Sequence, residues 1–150
     1  MELKALNGKE IKKVLAMVEE QWGAKLKLDY AFLQSAKNRI FLINREISRI
    51  DISKLRINAM GMYFCEIADK GIRLSIEGSQ IVGPSASKNV LVLNDHEAKL
   101  WLKGEDLEKE GIGLKGFVLI KHNGDFLGSA KVVTGKILNF VGKTRRINAI

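Results

Sequence analysis

The chain has 150 residues, 46% hydrophobic and 28% charged, with one proline and one cysteine. A chain of this length buries roughly 68–70% of its unfolded surface and folds without a staple. Its even spread of apolar residues excludes disorder over most of the chain, and a lone Cys65 excludes an internal disulfide or a thiolate metal cluster. Lys and Arg number 25 against 17 Asp and Glu, a net charge of +8 that favours an anionic partner, nucleic acid first among them.

In chain order, Asn7 is an N-cap candidate with Glu10 placed to complete a capping box. Ile11, Val14, Leu15, Val18 and Trp22 follow at helical spacing, and Gly23 supplies the stop. This stripe predicts a helix packed on a sheet. Leu28 to Leu33 and Arg39 to Ile43 read as strands joined by a polar turn from Gln34 to Asn38. Asn44 can cap a short helix running through Ile47 and Ile50. Ile57 to Ile67 is an apolar strand interrupted at Gly61, and Ile72 to Ile76 is another strand after the turn Asp69-Lys70-Gly71. These pieces predict a small α+β unit over residues 1–78.

From Ser79 the texture changes. Gln80 to Gly83 reads as a short strand, and Pro84 marks a turn. Val90 to Leu93 is a further strand. Asn94 then caps a helix with Glu97 at the capping-box position, burying Ala98, Leu100 or Trp101 and stopping at Gly104. Phe117 to Lys121 and Phe126 to Val133 flank Asn123-Gly124, a strong hairpin signal. Thr134-Gly135 turns the chain into Ile137 to Val141. Short strands at this spacing predict a barrel-like β module over residues 79–150.

Two motifs mislead. Gly111, Gly113 and Gly116 spell G-x-G-x-x-G, but a dinucleotide site needs a strand before the glycines and a helix after them. Here an acidic stretch from Glu105 to Glu110 precedes and an apolar strand follows, so no cofactor is expected. Gly142-Lys143-Thr144 resembles the end of a P-loop, yet Gly135 lies at the wrong spacing and too few residues remain for the phosphate-binding helix. His96 and His122 lack partners at ligand spacing, so no metal site is expected. No nucleophile elbow or base–orienter pair is recognisable, and the expected class is therefore non-enzymatic. The longest apolar or glycine run, Ala59 to Cys65, falls far short of the roughly 18 residues of a membrane span. With a polar start and no apolar signal-peptide core, the expectation is a cytoplasmic protein.

The basic charge gathers at one end. From residue 131 onward, Lys131, Lys136, Lys143, Arg145 and Arg146 meet no Asp or Glu. Strand alternation sets Lys131 on the face opposite Val132. Asn139 offers a base-edge hydrogen bonder, and Phe140 reads first as core and alternatively as a stacking ring. One-sided charge beside a β module fits a groove that tracks phosphates.

Several stretches resemble a known module. Gly83-Pro84-Ser85-Ala86-Ser87, Gly111-Ile112, Lys115 to Ile120 and Asp125 to Val132 are similar to a PUA domain, a compact pseudo-barrel attached to tRNA- and rRNA-modifying enzymes. The ending from Gly135 to Ile147 is especially similar to PUA modules of RNA cytosine-5 methyltransferases. In the first half, Phe41 to Ile47 and Ile57 to Ile67 resemble the domain preceding the PUA module in a small ribosome-biogenesis factor family of archaea and eukaryotes. There Met60-Gly61 stands in place of that family's leucine-glycine pair.

The resemblance implies an α+β chain: a sandwich-like pre-PUA domain over 1–78, then a PUA-like pseudo-barrel over 79–150. It also implies RNA binding without catalysis, on structured rRNA or tRNA, in ribosome biogenesis or RNA modification. A protein-interaction adaptor, docking on an RNA-modifying enzyme or pre-ribosomal protein, is the alternative. On matching positions the RNA-binding residues are Gly111 and Lys115, with Lys131 and Lys136 nearby; Asn139, Lys143, Arg145 and Arg146 join them from the charge pattern. The acidic stretch Glu105 to Glu110 departs from this scheme, because carboxylates repel phosphates.

Overall fold

The computed structural model describes residues 3–48, 61–111 and 113–141. Its first sheet takes five strands in chain order, β1 (Leu3–Ala5), β2 (Ala31–Ser35), β3 (Arg39–Ile43), β4 (Met62–Ala68) and β5 (Gly71–Leu74), all antiparallel. Helix α1 (Gly8–Trp22) lies on one face. Its capping box forms as the sequence predicts, with Glu10 N donating to Asn7 Oδ1 at 2.9 Å and Asn7 N donating to Glu10 Oε1 at 3.1 Å. Val14, Val18 and Trp22 are buried along its stripe, each contributing about 1.5–3 kcal/mol of hydrophobic stabilisation. Helix α2 (Arg45–Ser48) starts where Asn44 Oδ1 accepts a hydrogen bond from Glu46 N at 2.8 Å. The expected extension of this helix to Ile50, and the start of the strand expected from Ile57, lie outside the described residues.

Strand β4 is irregular. Ile40 pairs with Cys65 and Phe41 with Tyr63, so Phe64 is an extra residue without a partner on β3. Phe64 and Cys65 both enter the core under α1, whereas Tyr63 packs with Leu33, Phe41 and Ile43 on the other face. The bulge therefore brings Tyr63 and Glu66 to the same face although they stand three apart.

The segment expected to be a strand at Gln80–Gly83 is instead helix α3 (Ile76–Val82), continued by a 3-10 turn at Gly83–Ser85. The cause is Ser75, whose Oγ accepts from Gly78 N at 2.9 Å as an N-cap. Pro84 sits in the first turn of the 3-10 helix, where its missing N–H costs nothing. The expected boundary between residues 78 and 79 thus falls inside α3.

The second sheet runs β6 (Val90–Val92), β7 (Gly116–His122), β8 (Asp125–Val133) and β9 (Lys136–Asn139). Helix α4 (Asp95–Leu102) connects the parallel pair β6 and β7, the crossover that parallel pairing demands. Its Trp101 fills a core with Val118, Ile120, Ala130 and Ile137. Asn123 (φ 49°) and Gly124 (φ 85°) make the hairpin turn between β7 and β8, both left-handed as a type I′ turn requires. The α+β class is as expected. Among the described residues this sheet is open, not a closed barrel, because α4 covers the apolar face that closure would otherwise bury.

The sheets share a core. Val82, Leu119 and Phe126 pack with Val18, Trp22 and Phe64. Two buried serines stitch them together: Ser129 Oγ on β8 accepts from Leu74 N on β5 at 3.0 Å, and Ser79 Oγ on α3 accepts from Gly128 N on β8 at 2.9 Å.

Candidate nucleic-acid interface

Lys131 stands exposed in the middle of β8, between the Leu138 and Phe117 positions of its neighbours. Val132 turns the other way, into the second core. Register therefore sets Lys131, Lys136 and Phe117 on one face of the sheet. Lys131 makes no ion pair among the described residues. Lys136 does: its Nζ lies 3.4 Å from Glu108 Oε1.

That pairing follows from the path of the acidic stretch. Leu107 bridges to Ile137 and lays the segment along the outer edge of β9. Asp106 Oδ1 accepts from Asn139 N at 2.8 Å. The Asn139 side-chain amide donates to Trp101 O at 2.8 Å and Glu105 O at 2.9 Å, and its Oδ1 accepts from Val141 N at 2.6 Å. The group read as a base-edge hydrogen bonder is thus a clamp that ties β9 to the end of α4. The cations are divided by their neighbours: Lys136 is neutralised at the acidic edge, and Lys131 faces solvent.

The glycine loop before β7 separates similarly. At Gly111 the direction of a missing Cβ points at Val132 Cγ1, 2.8 Å away, so glycine is required there for packing against the core. Gly113 (φ 76°) and Gly116 (φ 64°) hold left-handed backbone with open space where a side chain would project. Lys115 lies exposed between them. Those two glycines leave the backbone open to solvent, with no side chain to cover it. No helix follows the loop; the strand β7 does, as the order of elements predicts. Lys143, Arg145 and Arg146 lie outside the described residues.

Phe140, read from the sequence as core and alternatively as a stacking ring, continues this surface together with Arg73, Arg39 and Tyr63, which the sequence reading missed. Phe140 is 37% exposed, and its ring lies 6.1 Å from that of Phe117, the residue opposite Lys131. The Arg73 guanidinium carbon sits 4.6 Å from the centroid of the Phe140 ring, and that of Arg39 5.5 Å from the centroid of the Tyr63 ring. Burial pushes the Tyr63 phenol above its ordinary value, against the opposing pull of a hydrogen bond with Arg73. The signal for this group was strand register, which no local motif displays.

The histidines lie apart from this surface. His122 Nε2 is 2.8 Å from Asp95 Oδ1, an imidazole–carboxylate pair at the start of α4. Cys65 is buried, and burial pushes its thiol well above the ordinary range. Among the described residues no three His, Cys, Asp or Glu side chains gather at metal-ligand distance, and no helix is long and apolar enough to cross a membrane.

Residues 88–147 match the family model described as the methyltransferase RsmF PUA domain. Among curated proteins the chain is similar to ribosomal RNA small subunit methyltransferase F. With that of Vibrio atlanticus it is 30% identical over 88 residues, 59% of this chain and 19% of the relative. The Vibrio parahaemolyticus protein is 32% identical over 93 residues, 59% of this chain and 20% of the relative. With the Aeromonas hydrophila protein the similarity extends over 134 residues at 27% identity, 89% of this chain and 27% of the relative. The chain thus spans about a fifth to a quarter of the length of the curated relatives it matches, and the similarity reaches into its amino-terminal half. The carboxyl-terminal segment, residues 88–147, is thus similar to the PUA domain of the RsmF methyltransferases.

Proposed function

We propose that this chain is a non-catalytic RNA-binding protein acting on structured rRNA or tRNA in the cytoplasm, in ribosome biogenesis or RNA modification. The observation that carries the reading is the match of residues 88–147 to a PUA domain whose relatives are named as rRNA methyltransferases. In this reading the amino-terminal sheet and the PUA domain are two modules divided near residue 78, joined through α3. Lys115 and Lys131 meet phosphates from the described part, and Lys143, Arg145 and Arg146 extend the contact. Lys136 stays paired with Glu108.

Four phosphate contacts give a slope of log affinity against log salt of roughly −2.8 to −3.6. Fluorescence anisotropy on a small-subunit rRNA fragment, from low to physiological salt, measures it. Replacing Lys143, Arg145 and Arg146 together by alanine flattens this slope to the share of Lys115 and Lys131 and leaves the melting temperature nearly unchanged. A wild-type slope in that variant refutes the tail as RNA surface. Turnover of methyl donor by the purified chain on the same RNA refutes the non-catalytic reading.

A second reading, an adaptor that docks on an RNA-modifying enzyme or a pre-ribosomal protein, draws support from the relatives, in which the matching segment is part of a longer methyltransferase. An adaptor binds none of the RNA probes at physiological salt.

A further inference from the structure

Three consecutive strands place an Arg–Glu–Arg row across the first sheet, since Arg39 pairs with Glu66 and Glu66 with Arg73 in the ladder. Glu66 holds both guanidiniums, Oε1 at 3.5 Å from Arg39 Nε and Oε2 at 3.3 Å from Arg73 Nη2. Each guanidinium then lies over a ring, Arg39 over Tyr63 and Arg73 over Phe140. The bulge at Phe64 is what brings Tyr63 to the same face as this row.

The result is a fixed surface of alternating rings and cations. Two guanidiniums against one carboxylate leave an excess positive charge. Phe140 keeps more than a third of its surface open to solvent although it lies beside a core. A ring retained in that state, with a guanidinium held over it, has the two planar partners on which unpaired bases stack. Phe117 connects it to Lys131, a free ammonium for the adjoining phosphate. Because Glu66 immobilises the guanidiniums beforehand, little ordering remains for binding.

We propose that Phe140 and Arg73, supported by Glu66 and Tyr63, form a stacking site for one unpaired nucleobase of the bound RNA. The site rests on the RNA-binding reading and adds to it a selectivity for loops and bulges over perfect duplex. Base stacking on an aromatic side chain contributes about 1–3 kcal/mol per base, so Phe140→Ala weakens binding roughly 5- to 150-fold where a base is available.

The test uses the full chain and two RNAs of equal length and charge, a hairpin with an unpaired loop and a continuous duplex, each measured by anisotropy. A second hairpin carries 2-aminopurine in the loop, whose emission is quenched on stacking. The expected result is loss of hairpin affinity and of quenching in Phe140→Ala, near-unchanged duplex binding, and recovery of both in Phe140→Trp. Hairpin affinity equal to wild type in Phe140→Ala overturns the site, as does an equal loss on both RNAs. Failure is separable from that of the broader reading: if the wild-type chain binds neither RNA, RNA binding itself is refuted; if it binds both and Phe140→Ala changes nothing, only the stacking site is.

Discussion

The serine stitch between the sheets gives a sharp test of how the molecule is held together. Ser79 and Ser129 are buried, and each Oγ is the acceptor for one backbone N–H of the opposing element. Ser129→Ala leaves the Leu74 N–H without an acceptor at a site closed to water, and Ser79→Ala does the same to Gly128. An unsatisfied buried donor costs about 1–3 kcal/mol, which in a chain of this size lowers the melting temperature by about 2–12 °C. The two bonds end on adjacent residues of β8, so they are not independent. Once one is lost the seam loosens and water reaches the second, so the double variant costs less than the sum of the singles. Urea unfolding followed by tryptophan emission measures all four corners of the cycle. Trp22 reports on the shared core and Trp101 on the second core, both fully buried. Ser85→Ala, at an exposed position, is the control and stays within about 0.5 kcal/mol of wild type. Refutation is plain: single variants as stable as the control would mean that the stitch carries no stability.

Other expectations are independent of this one. Gly78→Ala, in a helix interior where alanine ordinarily stabilises by about 1 kcal/mol, destabilises by about 1–3 kcal/mol, because the added Cβ collides with the Phe64 carbonyl oxygen; thermal melting decides the sign. Cys65 holds its proton in the folded chain above its ordinary value of 9.0, whereas the unfolded chain ionises there. Stability is therefore fully present below about pH 9 and declines as pH rises beyond it, by at most about 1.4 kcal/mol per pH unit; Cys65→Ala flattens that decline in urea melts between pH 8 and 10. Native protein leaves Cys65 unreactive to a thiol reagent at pH 8, and denatured protein titrates one thiol per chain. Glu108→Gln releases Lys136 from its ion pair and tightens RNA binding at low salt, while Lys131→Ala reduces the magnitude of the salt slope by about 0.7–0.9; equal slopes for Lys131→Ala and wild type would remove Lys131 from the interface.

Local signals made much of this fold legible. The capping boxes at Asn7–Glu10 and Asn94–Glu97 and the Asn123-Gly124 turn depend on neighbouring residues alone, and each forms as read. Gln80–Val82 did not, since its β-branched residues favour a strand and only the Ser75 cap, with a close approach of Gly78 to β4, turns it into helix. Strand β1 was missed because three residues carry too short an alternation to register. The same division holds for the interface. Alternation sufficed for Lys131, which depends on one strand. The roles of Asn139 and Lys136 depended on where the acidic stretch travels, and sequence distance conceals that Glu105, Asp106 and Glu108 border β9. Arg39, Arg73 and Phe140 come together only through the register of several strands.

Phe64 sets a rule for how this protein tolerates change. With one supernumerary residue, the two halves of β4 are out of phase, the first addressing one side of the sheet with Tyr63 and the second addressing it with Glu66. Removing the extra residue would restore an even rhythm with Tyr63 and Glu66 still on one side and Cys65 and Ile67 on the other, at the loss of one buried ring from the core under α1. The bulge is thus where this strand accommodates a deletion in phase, whereas a residue added or removed elsewhere in β4 turns part of the strand over.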